Sequence, residues 1–314
     1  MIDPRSALAE HLPPPLPARV ITALAELLES GRALEIVDAG ASPLVGEPPC
    51  YAPLLESGVA RVTGFEPDPE AMAALADRTS DTEQYLPTAL GDGDEHTLRT
   101  CSEAGFSSLL EPDAAQLAVL TDFSRLAEVT GRTPVTTSRL DDVGLDRADL
   151  LVLDVQGSEP AILDGAVRLL ASTFAVQVEV AFHRLYEDGP TFADVDARLR
   201  EAGFVPHAFV TSRTWPLAPV AWDDPLQARA RHLVEADLLY VRDPARLADL
   251  DDDLLRAGAL VAAGAYGSLG LALVCLRELV RRDVLPTAAE ARFRALVEPT
   301  VKDATADLTD AGAC

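Results

Sequence analysis

Hydrophobic and polar positions change period several times along the chain, and the changes mark its elements. A proline-punctuated arm, residues 1–17, leads into Ala18 to Ser30. There Val20, Leu24, Leu27 and Leu28 recur on one helical face before Gly31 ends the pattern. From Ala33 onward, short apolar runs alternate with helical patterns. Strands are predicted at Leu34–Asp38, Arg61–Glu66, Glu83–Leu90, Asp149–Asp154, Phe174–Phe182, Phe204–Val210 and Ala236–Val241. Helices are predicted at Pro69–Arg78, Pro160–Leu170 and Phe192–Ala202, and the first two begin on a proline, harmless in a first turn. The stretch from Asp92 to Arg147 is less regular, with a strand at Thr97–Cys101, a helix near Ala114–Leu120 and an extended run at Val135–Leu140. Residues 211–234 read as an insertion carrying Trp215 and Trp222. After Pro244 the pattern is wholly helical.

Strands alternating with helices imply an α/β fold, a mostly parallel sheet covered on both faces. Three parts follow: an N-terminal arm and helix (1–33), the α/β domain (34–243) and a helical C-terminal extension (244–314). Within the extension, Ala257 to Leu276 carries no charge and is about long enough to span a bilayer. It is mostly Ala and Gly, which gain little from lipid, so it reads instead as a buried helix or helical hairpin. The same small residues make it either an internal packing element or a contact with a second copy of the chain, and a homo-oligomer through the C-terminal helices is one expectation.

Charge narrows the partners. The 314 residues hold 51 acidic and 26 basic side chains, a formal net charge of -25, and Lys302 is the one lysine. A field of that sign repels phosphate backbones and anionic lipid, so nucleic acid and anionic membrane are poor partners. Cys50, Cys101, Cys275 and Cys314 form no CxxC pair and match no zinc spacing, so no metal is expected and the thiols suit a reducing compartment. The N-terminus shows no secretion signal, which makes the cytoplasm the expected location.

Four segments carry candidate chemistry at the carboxyl ends of predicted strands, where open α/β sheets bind ligands. In VDAGAS (Val37–Ser42), Asp38 and Gly40 end the first strand, followed by Ala41 and Ser42. A dinucleotide would want a G-x-G-x-x-G turn. Only Gly40 fills that register, which suits a ligand without phosphate, such as S-adenosylmethionine, whose cationic sulfur tolerates a nearby carboxylate. In GFEPDPEAMAAL (Gly64–Leu75), Glu66 is placed to grip two ribose hydroxyls, and Asp68 is placed to cap the next helix. That acid serves NAD enzymes equally, so it indicates adenosine without choosing the cofactor. In PTALGDGDEHTL (Pro87–Leu98), Ala89, Leu90 and Asp92 sit where a third strand ends. In DLLVLDVQGSEPAILDGAVRLL (Asp149–Leu170), Asp154 closes an apolar strand, and Glu159 follows as either a ligand group or a first-turn helix acid.

Together these segments resemble the FkbM family of methyltransferases. VDAGAS, GFEPDPEAMAAL, TALGDGDEHTL and SRLDDV (Ser138–Val143) carry the resemblance, and ADLLVLDVQGSEPAILDGA (Ala148–Ala166) carries it most specifically. VQVEVAFHRLY (Val176–Tyr186) and FADVDARLREAGF (Phe192–Phe204) extend it, so that it covers roughly residues 34–242. The resemblance implies a Rossmann-like class I methyltransferase sheet with its last strand antiparallel. It implies methyl transfer from S-adenosyl-L-methionine, typically to an oxygen of a sugar, glycolipid or natural product, without a metal. Asp38, Gly40, Glu66, Ala89, Leu90 and Asp154 would then line the cofactor, and Ser107 and Ser108 match a family serine pair. The first turn departs from the family's usual G-A-x-x-G, with Pro43 and Leu44 standing before Gly46.

An alcohol acceptor must lose a proton, and Asp154, His183 and Glu179 are the candidate acceptors of it. Glu179 is an acid within a buried strand, which demands a partner or a task. Two rival functions remain at this level. One is an NAD-type oxidoreductase, for which the dinucleotide glycines are missing. The other is a catalytically inactive binding or scaffold protein that works through its helical tail.

Overall fold

The apolar runs do become strands, and their registers decide where the polar residues at their ends meet. A computed structural model describes residues 8–10, 12–42, 48–229 and 231–311. Among these, β1 (Leu8–Glu10) and α1 (Ala18–Leu27) precede β2 (Leu34–Ala39), α2 (Ala52–Glu56), β3 (Ala60–Phe65), α3 (Pro69–Leu75) and β4 (Glu83–Leu86). Then come β5 (Ala89–Leu90), β6 (Glu95–Cys101), α4 (Ala114–Leu117), α5 (Phe123–Leu126) and β7 (Val129–Ser138). They are followed by β8 (Leu150–Leu153), α6 (Glu159–Asp164), α7 (Val167–Ala171), β9 (Ala175–Ala181), α8 (Phe192–Glu201), β10 (Phe204–Pro216) and β11 (Arg231–Arg242). Three helices complete the order: α9 (Asp252–Gly264), α10 (Leu269–Arg281) and α11 (Ala289–Ala311).

The main sheet has eight strands in the order β1-β10-β11-β9-β8-β2-β3-β4. Neighbours from β9 through β4 run parallel, whereas β11 is antiparallel to both β9 and β10. This is the mostly parallel sheet with a reversed last strand that the sequence implies. Strand order reverses between β2 and β8. A crevice opens outside the carboxyl ends of such a pair, because the connections leave to opposite faces. A second sheet, β5-β7-β6, supplies Ala89, Leu90, Thr100 and Thr130 to the wall of that crevice.

Strand β8 is apolar on both faces because both are covered. Leu150 joins a core formed with α1, α9 and α10, whereas Leu151 and Leu153 join one formed with α6 and α8. Helix α9 lies so close to the sheet that a Cβ added at Gly258 would come within 2.3 Å of the Phe174 ring.

Details differ from the sequence pattern in the helix after β8 and in the β10–β11 hairpin. The predicted Pro160–Leu170 helix breaks at Gly165 into α6 and α7. Residues 211–216 and 231–234, expected within an insertion, continue the β10–β11 hairpin. Their polar side chains hid the strand pattern because they pair with one another, Thr211 with Asp237 and Arg213 with Glu235. The charge-free segment 257–276 forms the end of α9, a turn and the start of α10, buried as a hairpin. Among the described residues, no helix is long and apolar enough to cross a membrane.

Candidate functional site

The site begins at the turn after β2. Gly40 has φ +84°, and a Cβ there would lie 1.9 Å from the Asp154 carbonyl oxygen, so the turn packs directly on the end of β8. The N–H groups of Gly40 and Ala41 both donate to the Phe65 carbonyl, at 2.9 and 3.2 Å. The glycine turn is thus fastened to the residue preceding Glu66. Asp38 lies buried beneath and accepts a 2.5 Å bond from the Tyr51 hydroxyl. Burial pushes its carboxyl up to about 6 even so.

Glu66 is buried at the end of β3, and burial pushes it up to about 7. Its Oε1 accepts the Asp68 N–H at 2.7 Å, and no described residue bonds Oε2. Asp68 caps α3 through the N–H groups of Glu70 and Ala71.

These groups open on a cleft of about 1130 Å³. Of the residues singled out in the sequence, Gly40, Ser42, Glu66, Asp68, Ala89, Leu90, Ser107, Ser108, Asp154 and Glu179 line it, and Glu159 lines a smaller neighbouring pocket. Four others do not. Asp38 sits below the floor. Ala41 packs into a small apolar group with Leu75 and Tyr85. Asp92 is half exposed, bonding the Asp94 N–H at 3.0 Å and His96 Nε2 at 2.8 Å, and these bonds hold it down at about 2. His183 contacts the Gln116 carbonyl through Nε2 at 3.1 Å and stands edge-on to the His232 ring, 5.2 Å away. Glu179 and His183 share one strand and its exit, yet only Glu179 faces the cleft. Pro43, Leu44 and Gly46, where the first turn departs from the family pattern, lie outside the described residues.

At the floor, residues far apart in sequence converge. Gln156, in the left-handed region at φ 53°, donates from Nε2 to Asp154 Oδ1 at 3.0 Å and to Glu179 Oε2. Its Oε1 accepts from the Tyr186 hydroxyl at 2.8 Å, and its backbone carbonyl accepts from Ser108 Oγ at 2.5 Å. Arg213 on β10 pairs with Glu235 on β11, and Asp237 accepts from Thr211 at 2.6 Å. Burial first, then the Asp154, Glu235 and Asp237 charges, hold Glu179 well above the usual carboxylate range. Burial pushes Asp237 up to about 6. Glu159 bonds the backbone N–H groups of Val155 and Gly157 at 3.1 and 3.0 Å, and burial pushes it up to about 7. Sequence reasoning missed Gln156, Arg213, Glu235 and Asp237, and the hydrogen-bonding role of Tyr186. For Glu235 and Asp237 the available signal was the one that flagged Glu179, charged residues within a strand otherwise apolar.

This donor set fits an adenosyl sulfonium better than a dinucleotide. The single glycine turn offers little to a pyrophosphate. Among the described residues lining the cleft, Arg213 is the only Lys or Arg, and it is paired to Glu235. Carboxylates dominate the floor, and Glu66 Oε2 is free to accept from hydroxyls. No group of described residues could hold a metal ion.

Residues 38–206 match the family model described as the methyltransferase FkbM domain. Among solved structures, the methyltransferase FkbM from Methylobacillus flagellatus KT is 17% identical, with a TM-score of 0.36, over 67% of this chain and 43% of that one. The chain therefore spans less than half of that relative's length. A TehB-like SAM-dependent methyltransferase from Corynebacterium glutamicum is 14% identical, with a TM-score of 0.31, over 71% of this chain and 88% of that one. The N-terminal domain of EvdMO1 with SAH bound is 11% identical, with a TM-score of 0.30, over 72% and 81%. Comparison with curated proteins gives no match.

Proposed function

Because the chain belongs to the FkbM family of methyltransferases, we propose that it is an S-adenosylmethionine-dependent O-methyltransferase acting on a hydroxyl of a sugar, glycolipid or natural product. The observation that carries this reading is the fastening of the Gly40 turn to the Phe65 carbonyl, which sets Glu66 and Asp154 on one cleft.

In this reading Glu66 binds the ribose hydroxyls through Oε2, and Ala89 and Leu90 supply an apolar wall for the base. Gly40 and Ser42, with Ser108 across the cleft, bound the methionine end. When bound, the cofactor supplies a methyl group already activated by its positive sulfur. The protein's part is then alignment, exclusion of water and acceptance of a proton. Asp154 and Glu179 face the cleft, and one of them takes the proton from the acceptor hydroxyl. His183, tied to Gln116 away from the cleft, is the weaker candidate. The acceptor enters beside β6 and β7, where Thr100, Ser102 and Thr130 give hydroxyls suited to a polyol.

Calorimetry on the full chain tests the first half of the proposal. S-adenosylmethionine and S-adenosylhomocysteine are expected to bind and NAD to fail. No binding at millimolar cofactor would favour the inactive scaffold instead. Methyl-labelled cofactor offered with a panel of sugars, glycolipids and polyketide alcohols tests the second half. A base-stable labelled ether supports a hydroxyl acceptor, and a base-labile ester points to a carboxylate.

A further inference from the structure

Two carboxylates of the floor, Asp154 at the end of β8 and Glu179 in β9, are joined by one amide. Gln156 Nε2 has two hydrogens, and each goes to one of them. The amide's orientation is fixed from behind, because Oε1 receives the Tyr186 hydroxyl at 2.8 Å. Turned over, it would set its oxygen against two carboxylates, which have no proton to give when ionised. The backbone is pinned as well. Ser108 Oγ holds the Gln156 carbonyl at 2.5 Å, and a Cβ at the following Gly157 would come within 2.7 Å of Leu110. A non-glycine residue at φ 53° is thus locked in place by its surroundings, which is how such strain persists at working sites.

We propose that Gln156 is a positioning residue that holds Asp154 and Glu179 side by side as one anionic unit facing the positive end of the bound cofactor. The inference rests on the reading of the cleft as an S-adenosylmethionine site. Gln156 itself need touch neither cofactor nor acceptor. Its two N–H groups favour the charged form of the carboxylates they reach. The charged and titratable groups around the pair all bear on it. Burial and the Asp154, Glu235 and Asp237 charges oppose ionisation of Glu179, whereas Arg213 from β10 favours it. The Tyr186 hydroxyl, itself held well above its usual range, stays a neutral donor to the amide.

The test compares S-adenosylmethionine, whose sulfur is charged, with S-adenosylhomocysteine, whose sulfur is neutral. Their affinities for the full chain are measured by calorimetry from pH 5 to 9. In the unsubstituted protein the ratio of the two affinities should rise with pH as Glu179 ionises. Gln156→Met keeps the bulk and loses both donors. The midpoint of that rise should move up by about one pH unit, and the ratio at neutral pH should fall about tenfold. Tyr186→Phe frees the amide to turn and should shift the midpoint the same way by less. Melting temperature is followed in each, so that a variant that fails to fold is recognised and the other decides. Curves that superimpose across the three proteins, or equal losses of both ligands, would overturn the inference while leaving the cofactor reading intact. If the unsubstituted protein binds neither ligand, the cofactor reading itself fails and takes the inference with it.

Discussion

Asp149 and Asp154 stand at opposite ends of the four-residue strand β8 and meet opposite fates. Asp149 is fully buried, receives two bonds from Arg32 at 2.6 and 2.7 Å, and accepts the Glu35 N–H at 2.8 Å. Arg147 adds a further positive charge at 3.6 Å. Asp154, at the carboxyl end, has the Gln156 amide for a partner and Glu179 for a neighbour. The first acid is neutralised on the spot, and its surroundings are complete without a ligand. The second is placed among like charges, with neutral donors and one already engaged arginine. A buried acid matched by fixed cations belongs to the fold, whereas acids set side by side at the floor of a cleft are suited to a positive ligand.

Removing Asp149 should cost the most. Asp149→Ala leaves Arg32 without its buried partner and should lower unfolding free energy by about 3 kcal/mol, read from denaturant curves. Cofactor affinity should stay unchanged below the new melting point, and a loss of binding without a loss of stability would erase the contrast. Gly40→Ala joins the two ends, since the new methyl strikes the Asp154 carbonyl. It should cost about 1–3 kcal/mol in stability and lower S-adenosylhomocysteine affinity at least tenfold. Glu66→Gln should do the reverse of Asp149→Ala. It should weaken S-adenosylhomocysteine binding by roughly 1.5–3 kcal/mol while melting temperature holds or rises.

Acidity sharpens the contrast further. Asp38 and Asp237, up at about 6, and Glu66 and Glu159, up at about 7, hold protons in the fold that the unfolded chain has already shed. Their stabilising contribution is complete below the ordinary carboxylate range and is lost as pH climbs through 6 and 7. The melting temperature of the ligand-free protein should therefore rise between pH 7.5 and 5.5. At the far end of the scale, Arg277 pairs with Glu290 on the exposed surface. Arg277→Ala should leave melting temperature and ligand affinity unmoved.

What the sequence disclosed follows the same division. Gly40, Glu66 and Asp154 were legible because each is local, a strand end followed by its turn. So was the strand DLLVLD, whose apolar run needs both faces covered. Gln156, Tyr186, Arg213 and Glu235 were not, because four separate elements bring them together and no spacing along the chain records it. The polar ends of β10 and β11 even masked their own strands, since residues facing a charged floor break the alternation that marks a sheet. His183 shows the converse, a side chain of the right type whose strand exit turns it towards Gln116.

The approach of Gly258 to the Phe174 ring carries a practical corollary. Phe174 lies inside the 38–206 segment that the family model matches, and Gly258 lies well outside it. A fragment cut to the matched length would leave that aromatic wet and uncover the side of the sheet that carries Val62, Leu150 and Ala175. Swapping this segment into a relative, or trimming the chain for crystallisation, must carry the alanine- and glycine-rich hairpin along with it.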